Sequence, residues 1–298
     1  MLMLFLFICV GFVCSKTGIV DEQGSKTLNK VVLNICSPAL VLKAVLESEL
    51  TYRVSEILML IVYAIIFNLL ALLAGAVCAR IFSRKNSDRN KFCLVSAFGN
   101  VAFMGFPVVS ALYGSSAVFL VSICTLPFNV FVFSVGIMLV LGGKPKELSL
   151  KRIFVTPTMI STFIAFFLFL FQVTLPAPVE SAIGALGSMV IPLSMMLIGI
   201  SLGHMAAKAV FGDLRFYAVA FAKLIAVPLL VGTVLRLIVK DPLFYGVLVV
   251  MSAMPTAAIT PVLSAEYGGD RDFASGCVFL TTILSMLTVP VMLSILLR

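Results

Sequence analysis

Ten apolar runs, most of them long enough to cross a lipid bilayer, make up most of this chain. The hydrocarbon core is about 30 Å thick and a helix rises about 1.5 Å per residue, so about 20 apolar residues span it. With 61% hydrophobic and only 11% charged residues, a soluble domain is excluded. The sequence predicts an all-α integral membrane protein with ten transmembrane helices, numbered here as runs 1 to 10, near residues 1–15, 30–46, 54–82, 92–113, 115–142, 157–175, 178–203, 214–238, 242–267 and 273–297.

The basic residues predict how the chain is oriented. Of the 21 Lys and Arg, 15 fall in the stretches 16–30, 80–91, 144–152 and 208–215 and at position 271. Because cytoplasmic loops carry the excess of basic residues, both termini are predicted to lie outside the plasma (inner) membrane. Run 1 is short enough for a signal peptide, but no basic stretch precedes it, which favours a first helix. The net charge of +8 therefore reflects topology, and no nucleic-acid partner is predicted.

Residues that bind metals or nucleotides are scarce. The seven cysteines contain no CxxC pair, there is one histidine, and no GxxxxGK[ST] phosphate loop occurs. No nucleophile–base pair is visible either, so we expect neither an enzyme nor a cofactor. Coupling to sodium or protons stays open.

A short phrase occurs twice. "GFPVVSALYG" at 105–114 returns as "ITPVLSAEYG" at 259–268, with six matches in the nine positions after the first. At the same offset, Pro38 of run 2 maps onto Pro192 of run 7. Because five runs per copy is an odd number, the second copy enters the membrane inverted. The predicted organisation is a first five-helix repeat at 1–142, a cytoplasmic linker at 143–156 and a second, inverted repeat at 157–298.

Glycine and proline cluster in the middle of runs 4 and 9. A proline inside a helix removes one N–H and clashes with the carbonyl one turn earlier. We therefore predict that helices 4 and 9 are broken and cross near the midplane, and that Pro38 and Pro192 break runs 2 and 7. The predicted hinge residues are Gly99, Gly105, Pro107, Pro255 and Pro261. Two merely kinked helices remain the alternative.

The polar residues near these breaks favour an anion. None of the 13 acidic residues lies at mid-depth, and helix N-termini carry partial positive charge. Thr281, Thr282 and Ser285 could border the site from run 10, although a Ser or Thr more often bonds its own helix. The predicted substrate-binding residues are Asn100, Pro107, Pro261, Thr260, Thr256, Ser37, Thr125 and Lys223.

Lys223 is the one charge well inside a run. It could offset the charge of a substrate or hold a core backbone carbonyl. Alternatively, its amine could snorkel to the interface.

The phrases "GNVAFMGFPVVSALYG", "AMPTAAITPVLSAEYG" and "CVFLTTILSMLTVPVML" resemble the auxin efflux carrier family, which includes bacterial members and the plant PIN carriers. "GIVDEQGSKTLNKVVLNICSPALVL" resembles the start of that family, so the likeness covers nearly the whole chain. The resemblance implies a fold similar to bile-acid symporters and sodium/proton antiporters, with runs 1, 2, 6 and 7 as scaffold and runs 3–5 and 8–10 as a mobile transport domain. It places the family's crossover asparagine on Asn100 and its crossover prolines on Pro107 and Pro261.

The family's substrates are organic anions: auxin in plants, and dicarboxylates such as malate or malonate suggested for bacterial members. The long central loop of many plant carriers is absent here, which favours a small carboxylate. The sequence thus predicts a secondary carrier that exports or exchanges such anions by elevator-like alternating access, and that could dimerise through its scaffold helices. A sodium-coupled symporter for larger anions and a ligand-binding sensor without transport are the rivals.

Overall fold

The computed structural model describes residues 2–46, 53–83, 86–114, 117–142, 157–171, 173–204 and 211–297, and this part of the chain is helical without a regular strand. The predicted linker at 143–156 lies outside it. The helices are α1 (Leu2–Lys16), α2 (Glu22–Val31), α3 (Ser37–Leu46), α4 (Val54–Phe82), α5 (Asn86–Ala97), α6 (Phe106–Tyr113), α7 (Ala117–Phe131), α8 (Ile137–Val140), α9 (Pro157–Phe171), α10 (Ala177–Ser188), α11 (Val190–His204), α12 (Leu214–Phe221), α13 (Val227–Ile238), α14 (Pro242–Ala253), α15 (Thr260–Glu266) and α16 (Arg271–Leu296).

Several helical segments match a bilayer in length and composition. Within the described residues, six are long and apolar enough to cross one: Glu22–Leu46, Val54–Phe82, Ala117–Val140, Ala177–Ser201, Leu214–Ile238 and Arg271–Leu296. Four shorter apolar helices accompany them: Leu6–Lys16, Val101–Tyr113, Pro157–Phe171 and Pro242–Ala253. Together these segments correspond to the ten runs of the sequence.

Prolines explain most of the irregular turns inside the long helices. The described chain contains π-helical turns at Val32–Cys36, Val101–Gly105, Val132–Gly136 and Ala222–Ala226. Three of them end two residues before a proline, namely Pro38, Pro107 and Pro228. A proline ring pushes away the carbonyl four residues earlier, and in each case that carbonyl lies inside the π turn. Widening the turn accommodates the ring without ending the helix.

The chain divides into two compact units, and each draws on both halves of the sequence. Unit 1 comprises Met1–Ile61, Ala102–Leu126 and Leu150–Met205. Unit 2 comprises Val62–Val101, Pro127–Ser149 and Ala206–Arg298.

Within unit 1, glycines bring α1 and α11 into backbone contact. A Cβ placed on Gly199 would fall on the Ile8 carbonyl oxygen, and one on Gly11 would fall on the Met196 carbonyl oxygen. We call this contact between α1 and α11 the seam. At one end of it, the Lys16 ammonium donates to the Gly203 carbonyl at 2.7 Å. Because lipid tails are as apolar as the side chains, such close backbone packing is what holds these two helices together.

We expect Gly199→Leu to destabilise unit 1 by at least about 2 kcal/mol, because the new side chain forces the α1 backbone away. Leucine improves helix propensity by about 1 kcal/mol, which only partly offsets this cost. Thermal unfolding in detergent measures the effect. Gly184→Leu in α10 is the matched control, because nothing lies within 4 Å of a Cβ at Gly184. Equal melting temperatures for the two variants would contradict the close backbone packing of α1 against α11.

Within unit 2, α14 forms the centre of the core. Every residue from Gly246 to Ala253 is buried. The helix contacts α13, α16 and the π turn at Ala222–Ala226. The residues that follow it, Met254 to Ala257, carry the predicted break of run 9 and are buried as well.

Candidate functional site

Both helices that the sequence predicts to break are interrupted. In run 4, α5 ends at Ala97, and helical structure resumes with the π turn at Val101–Gly105 and α6, which has Pro107 in its first turn. In run 9, α14 ends at Ala253 and α15 begins at Thr260, with Pro261 in its first turn. Proline suits the first turn because its missing N–H has no intrahelical partner there.

Inside unit 2, the two interruptions pair with each other as short antiparallel segments. The Asn100 N–H donates to the Pro255 carbonyl at 2.7 Å, and the Ala257 N–H donates to the Phe98 carbonyl at 3.0 Å. Gly99 and Thr256 face each other in this pairing. Backbone groups freed by the breaks thus satisfy one another, where each unpaired group in a membrane costs several kcal/mol.

Gly99 permits this approach because it has no side chain. A Cβ at this position would lie 3.0 Å from the Met251 carbonyl oxygen, closer than ordinary van der Waals contact. The prediction that Gly99 belongs to the hinge thus has a steric reason.

Hydroxyl groups also hold the pairing. Thr256 is fully buried, and its hydroxyl donates to the Val95 carbonyl at 2.8 Å. Its N–H donates to the hydroxyl oxygen of Thr281 in α16 at 3.1 Å. The sequence placed Thr281 only at the border of the site, because nothing local reveals that a hydroxyl 25 residues away accepts from the break.

The Lys223 ammonium lies inside unit 2 and does not snorkel. The residue is 1% exposed, and its Nζ donates to the Ser252 carbonyl at 3.3 Å. The same Nζ would be 3.4 Å from a Cβ on Gly99. Lys223 therefore places positive charge where α14 ends and beside the segment that follows α5, at the negative ends of two helix dipoles.

Lys223 is also the one charged side chain that is buried in the described part of the chain. No aspartate or glutamate is buried there, although buried Asn, Ser and Thr side chains are. In this part of the chain, the interior of unit 2 thus holds one basic amine and no carboxylate.

The other predicted binding residues have separate surroundings. Asn100 is buried beside the pairing, and the Thr260 hydroxyl donates to the Ala257 carbonyl at 2.8 Å. In unit 1, the Thr125 hydroxyl donates to the Ser122 carbonyl at 2.6 Å. The Ser37 hydroxyl, also in unit 1, is buried without a hydrogen-bond partner. The structure thus brings Gly99, Asn100, Pro255, Thr256 and Lys223 together, whereas Ser37, Pro107 and Thr125 belong to unit 1, as do Pro38, Gly105 and Pro192.

Comparison with known proteins assigns this arrangement to a family. The sequence model described as "Membrane transport protein" matches residues 1–149 and 145–293. The chain belongs to this family. It is the auxin efflux carrier family that the sequence resembles, so the resemblance is confirmed. The protein is an integral membrane transporter and not an enzyme.

Named relatives match this transporter over nearly their whole length. An "Uncharacterized transporter" of Methanothermobacter thermautotrophicus is 27% identical, over 97% of this chain and 95% of its own. "Uncharacterized transporter MJ1031" of Methanocaldococcus jannaschii is 28% identical over the same shares. A "Putative malonate transporter" of Rhizobium meliloti is 26% identical, over 96% of this chain and 91% of its own.

A charged network lies at the ends of helices in unit 2 of the transporter. The Lys91 ammonium pairs with Asp88 and with Asp270, each at 3.0 Å. Lys91 Nζ lies 5.3 Å from the ring centre of Phe273, and the Arg215 guanidinium lies 5.8 Å from it. The network therefore ties together the first turns of α5, α12 and α16.

Asp270 has two roles in this network. Its carboxylate caps α16 by accepting from the Phe273 N–H at 3.0 Å, and it pairs with Lys91. Partial burial acts to raise the pKa of Asp270, but the Phe273 amide and the Lys91 ammonium outweigh it and hold that pKa below its usual value. The folded state therefore favours the ionised carboxylate.

We expect Asp270→Asn to lower stability at neutral pH by at most about 1 kcal/mol, because the ion pair is solvent-accessible and asparagine still caps the helix. Since the folded state lowers the pKa of Asp270, the stabilisation by its carboxylate is present above about pH 4. It is lost as the pH falls through the folded-state pKa. Melting temperatures of the two proteins should therefore converge in acid. Asp272→Asn, which removes a charge from the same turn of α16 and leaves the Lys91 pair with Asp270 in place, is the control.

Proposed function

We propose that this transporter moves small organic anions, in particular carboxylates, across the plasma membrane by alternating access, in efflux or exchange. The observation that carries the proposal is the buried amine of Lys223 beside two paired helix breaks, in a described interior without a buried carboxylate. A cation carrier would need acidic side chains in that position.

Two features complement the ammonium. Asn100 is buried in the first break, and its amide can donate to a carboxylate oxygen. In unit 2, α15 begins after the second break at Thr260, so its first turn adds partial positive charge. Substrate anions would therefore gain both hydrogen bonds and electrostatic stabilisation, with Thr256, Thr260, Ser37 and Thr125 as further candidates for contact.

The proposed architecture is ten transmembrane helices in two inverted five-helix repeats. The duplicated phrase, the repeated proline of runs 2 and 7 and the two interruptions support it. We further propose that runs 1, 2, 6 and 7 form a scaffold and that the remaining runs move as an elevator. The division into units agrees with this for runs 1, 2, 6 and 7, which fall in unit 1, and for runs 3, 8, 9 and 10, which fall largely in unit 2. Runs 4 and 5 are each divided between the two units. Both termini would lie outside, and two copies could pair through the scaffold.

Among carboxylates, we propose a small dicarboxylate. The relative named as a malonate transporter supports this choice. The second carboxylate of such a substrate would accept hydrogen bonds from further buried donors. Such a substrate requires no cofactor.

Flux measurements on the purified protein in liposomes test the proposal. We would load vesicles with labelled malonate, malate or acetate and follow saturable efflux, with sodium and then with choline as the external cation. Malonamide, which keeps the shape of malonate without its charge, is the control substrate. We expect saturable flux of at least one carboxylate, with no flux of malonamide.

Each alternative predicts a different result. Flux of a cation or of malonamide in place of carboxylates would contradict the anion assignment. Flux that strictly requires sodium would favour the symporter. A carboxylate that stabilises the protein by about 2.7 kcal/mol at 100 times its Kd, yet is never transported, would favour the sensor.

A further inference from the structure

The backbone of the second break relies on a side chain from another helix. Pro255 has no N–H, the Met254 N–H donates back to Met251 at 3.4 Å, and the Ala257 N–H donates to Phe98 at 3.0 Å. Between them, the Thr256 N–H donates to the hydroxyl oxygen of Thr281 at 3.1 Å. Thr281 thus accepts a hydrogen bond that joins the centre of this break to α16.

The geometry of Thr281 makes its hydroxyl a directed acceptor. The residue is fully buried, so water does not compete for the site. Its own O–H donates to the Cys277 carbonyl of the same helix at 2.6 Å. Because the proton is committed to that carbonyl, a lone pair of the oxygen faces Thr256.

A chain of contacts leads from Thr281 to the proposed substrate-binding residue. Thr256, held at its N–H by Thr281, donates its hydroxyl to the Val95 carbonyl near the end of α5 at 2.8 Å. One residue before Thr256, the Pro255 carbonyl accepts from the Asn100 N–H at 2.7 Å. Displacement of Thr256 would therefore displace Asn100 as well.

We infer that Thr281 is a positioning residue for substrate binding, acting through Thr256 on Asn100. The inference rests on the proposed transport function, because Asn100 is a substrate-binding residue only within it. Thr281 itself touches no substrate. Its hydroxyl fixes the geometry in which the first break presents Asn100.

The test compares isosteric changes on one helix. Thr281→Val keeps the shape of the side chain and removes the hydrogen-bond acceptor, whereas Thr281→Ser keeps the hydroxyl. Thr288→Val is the matched control, because the buried Thr288 hydroxyl has no hydrogen-bond partner. We expect Thr281→Val to raise the KM for the transported carboxylate by about 10-fold or more, which corresponds to the loss of one hydrogen bond between Asn100 and the charged substrate. The maximal rate should change less. Thr281→Ser and Thr288→Val should keep the wild-type KM.

Amide hydrogen exchange supplies a readout independent of transport. We expect the backbone amides of Met254, Thr256 and Ala257 to exchange at least about 10-fold faster in Thr281→Val than in Thr288→Val, because the Thr256 N–H loses its partner. If Thr281→Val does not fold, Thr281→Ala and Thr288→Ala provide the same comparison. Wild-type KM and wild-type exchange in the Thr281 variant would overturn the inference. If the wild-type protein moves no carboxylate, the proposed function fails, and the exchange ratio alone decides whether Thr281 holds the break.

Discussion

Asn100→Ala should raise the KM for the transported carboxylate by about 10- to 100-fold, the loss expected for one hydrogen bond to a charged group. The protein should still fold, because the Asn100 N–H that pairs with the Pro255 carbonyl at 2.7 Å belongs to the backbone and survives the substitution. Flux in liposomes measures the KM, and thermal unfolding measures folding.

Asn100→Asp makes the same experiment sensitive to the sign of the substrate's charge. The side chain keeps its shape but carries a negative charge. An anion would be repelled, so flux should fall below that of Asn100→Ala, whereas a cation would be bound more tightly. Wild-type flux in both variants would remove Asn100 from the site.

Lys223→Met should lower the rate of transport by at least about 10-fold, because the substrate anion loses the buried amine that the proposed function places beside it. Stability should change much less. Methionine has a similar volume, and removing a buried ammonium also removes the cost of desolvating it. The expected signature is therefore a loss of flux without a matching fall in melting temperature.

Lys240→Met is the matched control for Lys223→Met, because Lys240 is exposed just beyond the end of α13. It should transport like the wild type. A large loss of stability in Lys223→Met, with normal flux per folded molecule, would show that the ammonium serves the fold alone.

The sequence locates most helices correctly because the apolar run is itself the physical requirement for spanning a membrane. Run 3 coincides with α4, at Val54–Phe82, and run 9 begins where α14 does. The largest difference is at the start of run 2, where α2 begins at Glu22, before the apolar run, and α5 likewise begins at Asn86, before run 4. A local signal was present: Asp21 caps the helix by accepting from the Gly24 N–H at 2.6 Å.

The sites of interruption are also local properties, since glycine and proline act on their own backbone. What the breaks bond to is not local. The pairing of Gly99 with Thr256 joins segments far apart in the chain, and the partners of Thr256 come from α5 and α16. From the sequence alone, the Lys223 amine could therefore equally bind a core carbonyl or reach the membrane interface. The burial of the side chain in the structure decides for the core carbonyl.

The seam between α1 and α11 sets the order in which this protein can assemble. The Lys16 ammonium and the Gly203 carbonyl that close one end of the seam are 187 positions apart. At roughly 5–20 residues per second, the ribosome needs about 10 to 40 seconds to deliver the partner after α1 has been made. During that interval the glycine face of α1 lacks α11 as its partner, so α1 is secured in unit 1 only after most of the chain that separates the two helices has been made.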